Sequence, residues 1–107
     1  MAEHSHQLAA ILFADVVGYT SMMQENEESA VQKINRFRET VELIAGELDG
    51  KIIQYYGDGS LLLFHSSTDA AEFAKLLQED LQADAVIPVR IGIHMGDVLV
   101  QIGRAHV

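Results

Sequence analysis

Two aspartates carry the chemical interest of this chain. Asp15 closes an apolar run, and Asp58 sits inside the triplet Gly57-Asp58-Gly59 between two short apolar stretches. Two carboxylates brought face to face repel unless a cation neutralises them, and a hard divalent ion such as Mg²⁺ takes oxygen ligands of this kind. Directly after Asp15 comes Val16-Val17-Gly18-Tyr19-Thr20. This reads as a strand-to-helix turn whose glycine permits close backbone approach and whose opening N–H groups suit phosphate oxygens. Acids to hold metal beside N–H groups to hold phosphate form the constellation for metal-assisted phosphoryl or nucleotidyl transfer. The same residues also fit a plain strand end and an ordinary Asp-Gly turn.

Whether the two acids meet depends on the elements that carry them. Residues 8–14 are continuously apolar and end at Asp15, which suits a strand buried on both faces. The seven polar residues before it are expected to be loose, with His4 and His6 on a frayed end rather than a metal-binding tip. A short helical turn over 19–24 follows, and Asn26 with Glu27 and Glu28 opens a longer helix. Val31, Ile34, Phe37, Val41, Ile44, Ala45 and Leu48 form its apolar stripe, and Asp49-Gly50 stops it.

Residues 51–56 and 60–64 read as a hairpin around Gly57-Asp58-Gly59. Residues 66–69 cap another helix that turns Ala70, Phe73, Ala74, Leu77 and Leu81 inward. Residues 89–94 alternate as a fourth strand, Met95-Gly96-Asp97 is expected to turn, and 98–100 to start a fifth. The order β-α-β-β-α-β predicts an α+β, ferredoxin-like fold, an antiparallel sheet with its helices on one face. In that topology the first strand is central beside the third, so Asp15 and the tip carrying Asp58 share one edge of the sheet.

Charge and composition narrow the partners. Of the 107 residues, 16 are acidic and 7 basic, a net charge of −9, which with no basic stripe excludes nucleic acid and an anionic membrane surface. The chain has no cysteine, hence no disulfide, zinc-thiolate site or thiol nucleophile. Its longest apolar run is far short of the roughly 20 residues that span a bilayer, and MAEHSHQ lacks the basic flank of a signal peptide. These features predict one soluble, cytoplasmic domain.

Three blocks then match something specific: FADVVGYT at 13–20, YGDG at 56–59 and VRIGIHMGD at 89–97. In order and spacing they resemble the catalytic domain of class III adenylyl/guanylyl cyclases over nearly the whole chain. The resemblance implies cyclisation of a nucleoside triphosphate, ATP ahead of GTP, to a 3′,5′-cyclic monophosphate and pyrophosphate in signal transduction. It implies two Mg²⁺ or Mn²⁺ ions on Asp15 and Asp58, with the Val16 carbonyl as a further ligand. Val17, Gly18, Tyr19 and Thr20 would hold the triphosphate. Arg90 matches a family position near the phosphates, while a lone cation beside a strand also fits a solvated surface group. His94 reads as architectural, packed near the following turn. The family works as head-to-tail dimers, so a homodimer is implied.

Two departures from the family pattern bear on function. Base choice in the family rests partly on the residue four before the hairpin aspartate, Lys for adenine or Glu for guanine. Here it is Gln54, whose amide can donate and accept, or can simply face outward from a strand. The family also continues into a G-D-x-V-N-x-A-x-R type segment bearing the Asn and Arg that stabilise the transition state, and this segment does not occur here. The chain therefore reads as an N-terminal part of such a domain, inactive by itself. Residues 102–107 translate a widely used sequencing-adapter string and are expected to be a non-native tail. The competing reading is a non-catalytic, cyclase-like module for dimerisation or nucleotide sensing.

Overall fold

The computed structural model describes residues 4–83, 85–101 and 104–106. Its elements run β1 (His4–Val16), α1 (Tyr19–Glu25), α2 (Glu27–Glu47), β2 (Lys51–Tyr56), β3 (Gly59–Phe64), α3 (Ser67–Gln82), β4 (Val89–Gln101) and β5 (Arg104–His106). The strands form one antiparallel sheet in the order β2-β3-β1-β4-β5. The α+β, ferredoxin-like arrangement with a central β1 beside β3 is therefore present. No helix among the described residues is long and apolar enough to cross a membrane.

Local chemistry starts each helix where its cap residues stand. The Asn26 side chain accepts from the Ser29 N–H at the head of α2, and Ser66 accepts from the Asp69 N–H at the head of α3. Each satisfies one of the N–H groups that a helix start leaves without a partner. At the end of α2, Asp49 takes a left-handed φ of 56°. Gly50 follows it because a Cβ there would run into the Phe64 ring.

Strand alternation then sorts the sheet into two faces. Ala10, Leu12, Ala14 and Val16 of β1 join Leu62 and Phe64 of β3 beneath α2 and α3. Ile34, Phe37, Val41 and Ile44 descend from α2, and Phe73, Leu77 and Leu81 from α3. The Phe64 and Phe73 ring centroids lie 5.1 Å apart. Among the described residues the opposite face buries a smaller cluster, Ala9, Ile11, Leu63 and Val98.

Five expectations need correction. β1 is not buried on both faces: on the side away from the helices Phe13 is 44% exposed, because no element among the described residues covers that face as α2 and α3 cover the other. β1 begins at His4, and its first four residues pair with the end of β4, from His4↔Gln101 to Gln7↔Val98. A ladder needs backbone N–H and C=O groups rather than apolar side chains, so a polar prefix does not stop it. Met95-Gly96-Asp97 does not turn: β4 runs thirteen residues without a break, with Gly96 opposite Ala9. The strand after it is Arg104–His106, not residues 98–100. On α2 the inward position is Ala30 while Val31 is 41% exposed, a shift of one residue in the first turn of the stripe. Residues 1–3 of the expected loose end, and 102, 103 and 107 of the expected tail, lie outside the described residues.

Candidate active site

Asp15 is the next-to-last residue of the central strand. Its register partners are Gly59 on β3 and Arg90 on β4, so it stands on the face away from the helices. The backbone draws the hairpin tip to it: the Val16 N–H donates to the Asp58 carbonyl at 2.9 Å. The next N–H, that of Val17, donates to the Pro88 carbonyl at 2.9 Å and ties in the chain entering β4. Gly59 makes the approach possible. A Cβ on it would lie 2.9 Å from the Tyr56 ring and 3.1 Å from the Asp15 Cβ.

Arg90 and Tyr56 flank Asp15 on the open face, across β4 and β3. Arg90 Nη2 donates to Asp15 Oδ2 at 3.1 Å. That hydrogen bond, then the Asp15 charge, and after an opposing effect of burial the Asp58 charge, raise the basicity of the guanidinium. The Tyr56 hydroxyl is pushed above its usual range first by burial, then by the charges of Asp15 and of Asp58. A phenol and a guanidinium on different strands thus both sense both acids. Asp15 Oδ1 is buried with no hydrogen-bond partner among the described residues. An acceptor withdrawn from water in this way is costly unless a donor or cation meets it, so Asp15, with the Asp58 hairpin drawn against its strand, fits a hard cation. Among the described residues no group of three or more His, Cys, Asp or Glu side chains is gathered for a metal. Protein oxygens here would come from the aspartate pair and the backbone.

The remaining predicted residues lie on the turn after β1 into α1, on β2 and on β4. Gly18 holds φ 75° and leads into α1 without a side-chain cap, so the opening N–H groups of that turn keep their hydrogen-bonding capacity for something else. Val17 and Thr20 are exposed, and Tyr19 is half-buried against the core. Gln54 is exposed on β2 opposite Leu61, beside a bulge, on the same face as Asp15. His94 is exposed in mid-strand opposite Ile11 and is not packed near a turn, because β4 has no turn there. The sequence reading placed Tyr56 and Gly59 in a motif but gave neither a role of its own. Gly59 had a signal, since a glycine at a strand start beside an acid often marks a close approach. A cavity of about 320 Å³ lined by Ala9, Lys51, Leu63, Phe64 and Val98 lies at the other end of the sheet and holds neither aspartate.

The family model described as the adenylate and guanylate cyclase catalytic domain matches residues 1–106. The chain belongs to this family. A Rhizobium meliloti (strain 1021) protein named "Putative adenylate cyclase 3" is 37% identical over 111 residues, covering 94% of this chain and 19% of that protein. The adenylate cyclase of Streptomyces coelicolor is 31% identical over 96 residues, covering 88% of this chain and 25% of that one. This chain thus spans a quarter or less of these relatives. Among solved structures, an adenylate/guanylate cyclase/hydrolase from Silicibacter pomeroyi superposes with a TM-score of 0.80 at 28% identity, over 97% of this chain and 65% of that one. A bacterial light-regulated adenylyl cyclase shares the fold at a TM-score of 0.83 and 17% identity, over 94% and 34% of the two chains.

Proposed function

We propose that this chain is the metal- and phosphate-binding part of a nucleotidyl cyclase that acts on ATP ahead of GTP. The observation that supports it best is the pairing of Asp15 with the Asp58 hairpin, with one Asp15 oxygen left buried and without a partner. In the reaction the ribose 3′-oxygen attacks the α-phosphorus of the same nucleotide and its proton passes to solvent. The bond from that phosphorus to the bridging oxygen breaks, releasing pyrophosphate. Two Mg²⁺ or Mn²⁺ ions held by Asp15, Asp58 and the Val16 carbonyl would supply charge neutralisation on the phosphates and a more acidic hydroxyl.

The chain's own groups then have defined tasks. The Val17 N–H is taken by the Pro88 carbonyl, so of the expected phosphate-holding turn the N–H groups of Gly18, Tyr19 and Thr20 are left to orient the triphosphate. Arg90, with 76% of its side chain exposed, offers a fork of donors to phosphate oxygens. Gln54 faces the base, where an amide serves adenine or guanine by turning over. The charge that develops in the transition state needs donors from the Asn/Arg segment. In the family that segment acts across a dimer, so the active assembly is a homodimer and this stretch alone makes no product.

The test is product formation from ATP and from GTP by the full-length protein with Mg²⁺ or Mn²⁺, beside Asp15→Ala. Turnover of ATP that Asp15→Ala abolishes is the expected result. A preference for GTP overturns the base assignment and makes Gln54 the residue to exchange. Turnover of neither nucleotide with either ion replaces the enzyme with a non-catalytic dimerisation or nucleotide-sensing module in cytoplasmic signalling.

A further inference from the structure

The hairpin tip that carries Asp58 is held from two sides. On one, the Asp58 carbonyl accepts from the Val16 N–H of β1. On the other, the carbonyl of the preceding residue, Gly57, accepts from Arg38 Nη2 at 3.1 Å. Arg38 comes from the middle of α2, and its Nε is buried with no hydrogen-bond partner among the described residues. The guanidinium is steadied by the Tyr55 ring, 5.1 Å from centroid to Cζ. The Tyr55 hydroxyl meets Glu42 Oε1 at 3.2 Å, and the Arg38 carbonyl at 3.4 Å. Helix, hairpin and tip therefore form one closed circuit.

We propose that Arg38 is a positioning residue for the Asp58 carboxylate. Consecutive carbonyls, 57 and 58, are anchored to α2 and to β1. Two adjacent peptide planes so fixed leave Asp58 little backbone freedom, and its Cα–Cβ direction is set. Gly57 has φ 54°, a conformation cheap for glycine but one it does not enforce, so the orientation of its carbonyl needs an outside partner. A carboxylate that shares ions with Asp15 must be placed to within a fraction of an ångström. Arg38 acts through the backbone and touches no reacting atom. Its place in the sequence carried a signal: with Ile34, Val41 and Ala45 it lies at spacings of four, three and four, a cation set into the buried stripe of α2.

This inference rests on reading Asp58 as a metal ligand, and the experiment separates the two. Mn²⁺ binding to the full-length protein is followed by electron paramagnetic resonance for the wild type, Asp58→Asn, Arg38→Ala and Arg38→Lys, beside their melting curves. Outer groups that orient metal ligands cost about 10–100-fold in affinity when removed, so Arg38→Ala is expected to weaken Mn²⁺ by about tenfold while still melting cooperatively. Arg38→Lys keeps a donor but loses the flat stack on Tyr55, and it is expected to restore part of that loss. Binding by Arg38→Ala within twofold of the wild type, with Asp58→Asn impaired, overturns the positioning role alone.

If Arg38→Ala does not fold, Arg38→Met decides instead. It keeps an unbranched stem against the Tyr55 ring but donates nothing to the Gly57 carbonyl, and an unchanged Mn²⁺ affinity overturns the proposal. If the wild type binds no Mn²⁺, the metal reading fails. The backbone order parameter of Asp58 then tests the clamp directly: it is expected to fall in Arg38→Ala from about 0.85 toward the flexible range below about 0.6, and no change overturns it.

Discussion

The two faces of β1 differ in what they contribute. Toward the helices, Ala10, Leu12 and Ala14 are completely buried, and the aromatic rings of Phe37, Phe64 and Phe73 close over the sheet. Away from them, Phe13 is 44% exposed and Asp15 stands beside an exposed arginine. One face stores the stability of the domain. The other spends little of it, and there a half-buried acid, an orphaned oxygen and a hairpin pressed close by a glycine can coexist. Substitutions should therefore separate the faces: chemistry lost without stability on one, stability lost without altered chemistry on the other.

Asp15→Ala should give the largest effect. In the full-length protein it is expected to abolish cyclic nucleotide formation, because it removes one of two acids available to a cation. Its unfolding midpoint should stay close to the wild type. The ion pair it breaks is surface-exposed on the Arg90 side and stabilises little, while the buried orphan oxygen goes with it. Product assay and urea titration on one preparation check both halves. A large loss of stability would mean that Asp15 belongs to the core rather than to the open face.

Phe73→Ala is the mirror experiment. The ring is fully buried against Phe64, and truncations of this kind cost about 3–5 kcal/mol, a large part of the stability of a small domain. The protein that remains folded in the cold should keep its KM for nucleotide. A changed KM at temperatures where the fold is intact would couple the faces that the geometry separates.

Gly59→Ala tests the place where the faces meet the hairpin. The added methyl would press on the Asp15 Cβ and the Tyr56 ring. Tyr56 is partly exposed and can swing, but the Asp15 Cβ moves only with its strand. Overpacking of this kind costs about 1–3 kcal/mol. A displaced catalytic group lowers the rate as well, so this variant should lose both stability and turnover, each less than the two single-face variants do.

The parts of this arrangement that were legible in the sequence are those set by neighbouring residues. Asn26 and Ser66 cap helices through residues three places on, and Gly57-Asp58-Gly59 makes its own turn. An apolar run ending in an acid, with a glycine three residues on, marked the end of β1. What was not legible depends on partners distant in the chain. His4 to Gln7 are strand only because β4 is long enough to pair with them, and Gly96 stays in that strand because Ala9 lies opposite. Arg38 was marked as a cation within the apolar stripe of α2, but the carbonyl it meets, that of Gly57, belongs to a hairpin nineteen residues on, a partner the helix pattern does not name.

The smallest effect concerns two adjacent tyrosines on opposite faces. Tyr55 turns to α2, where burial first, then the charge and hydrogen bond of Glu42, against the opposing charge of Arg38, push its hydroxyl up to about 12. Tyr56 turns to the open face, and after burial its rise comes from Asp15 and then Asp58. Asp15→Asn should therefore bring the Tyr56 titration part of the way back toward the ordinary value and leave Tyr55 near 12. Ultraviolet titration of the phenols in the wild type, Asp15→Asn and Tyr55→Phe assigns the Tyr55 and Tyr56 steps among the three tyrosines. Stability follows the same sign. A phenol that keeps its proton longer when folded stabilises fully below its unfolded pKa of about 10, and that contribution fades as pH rises toward 12. Urea midpoints near pH 9 and near pH 11.5 should then fall more in the wild type than in Tyr55→Phe, whose ring has no proton to lose. An equal fall in both would mean that the Tyr55 hydroxyl is not held by Glu42, and the brace beneath Arg38 would lose its outer support.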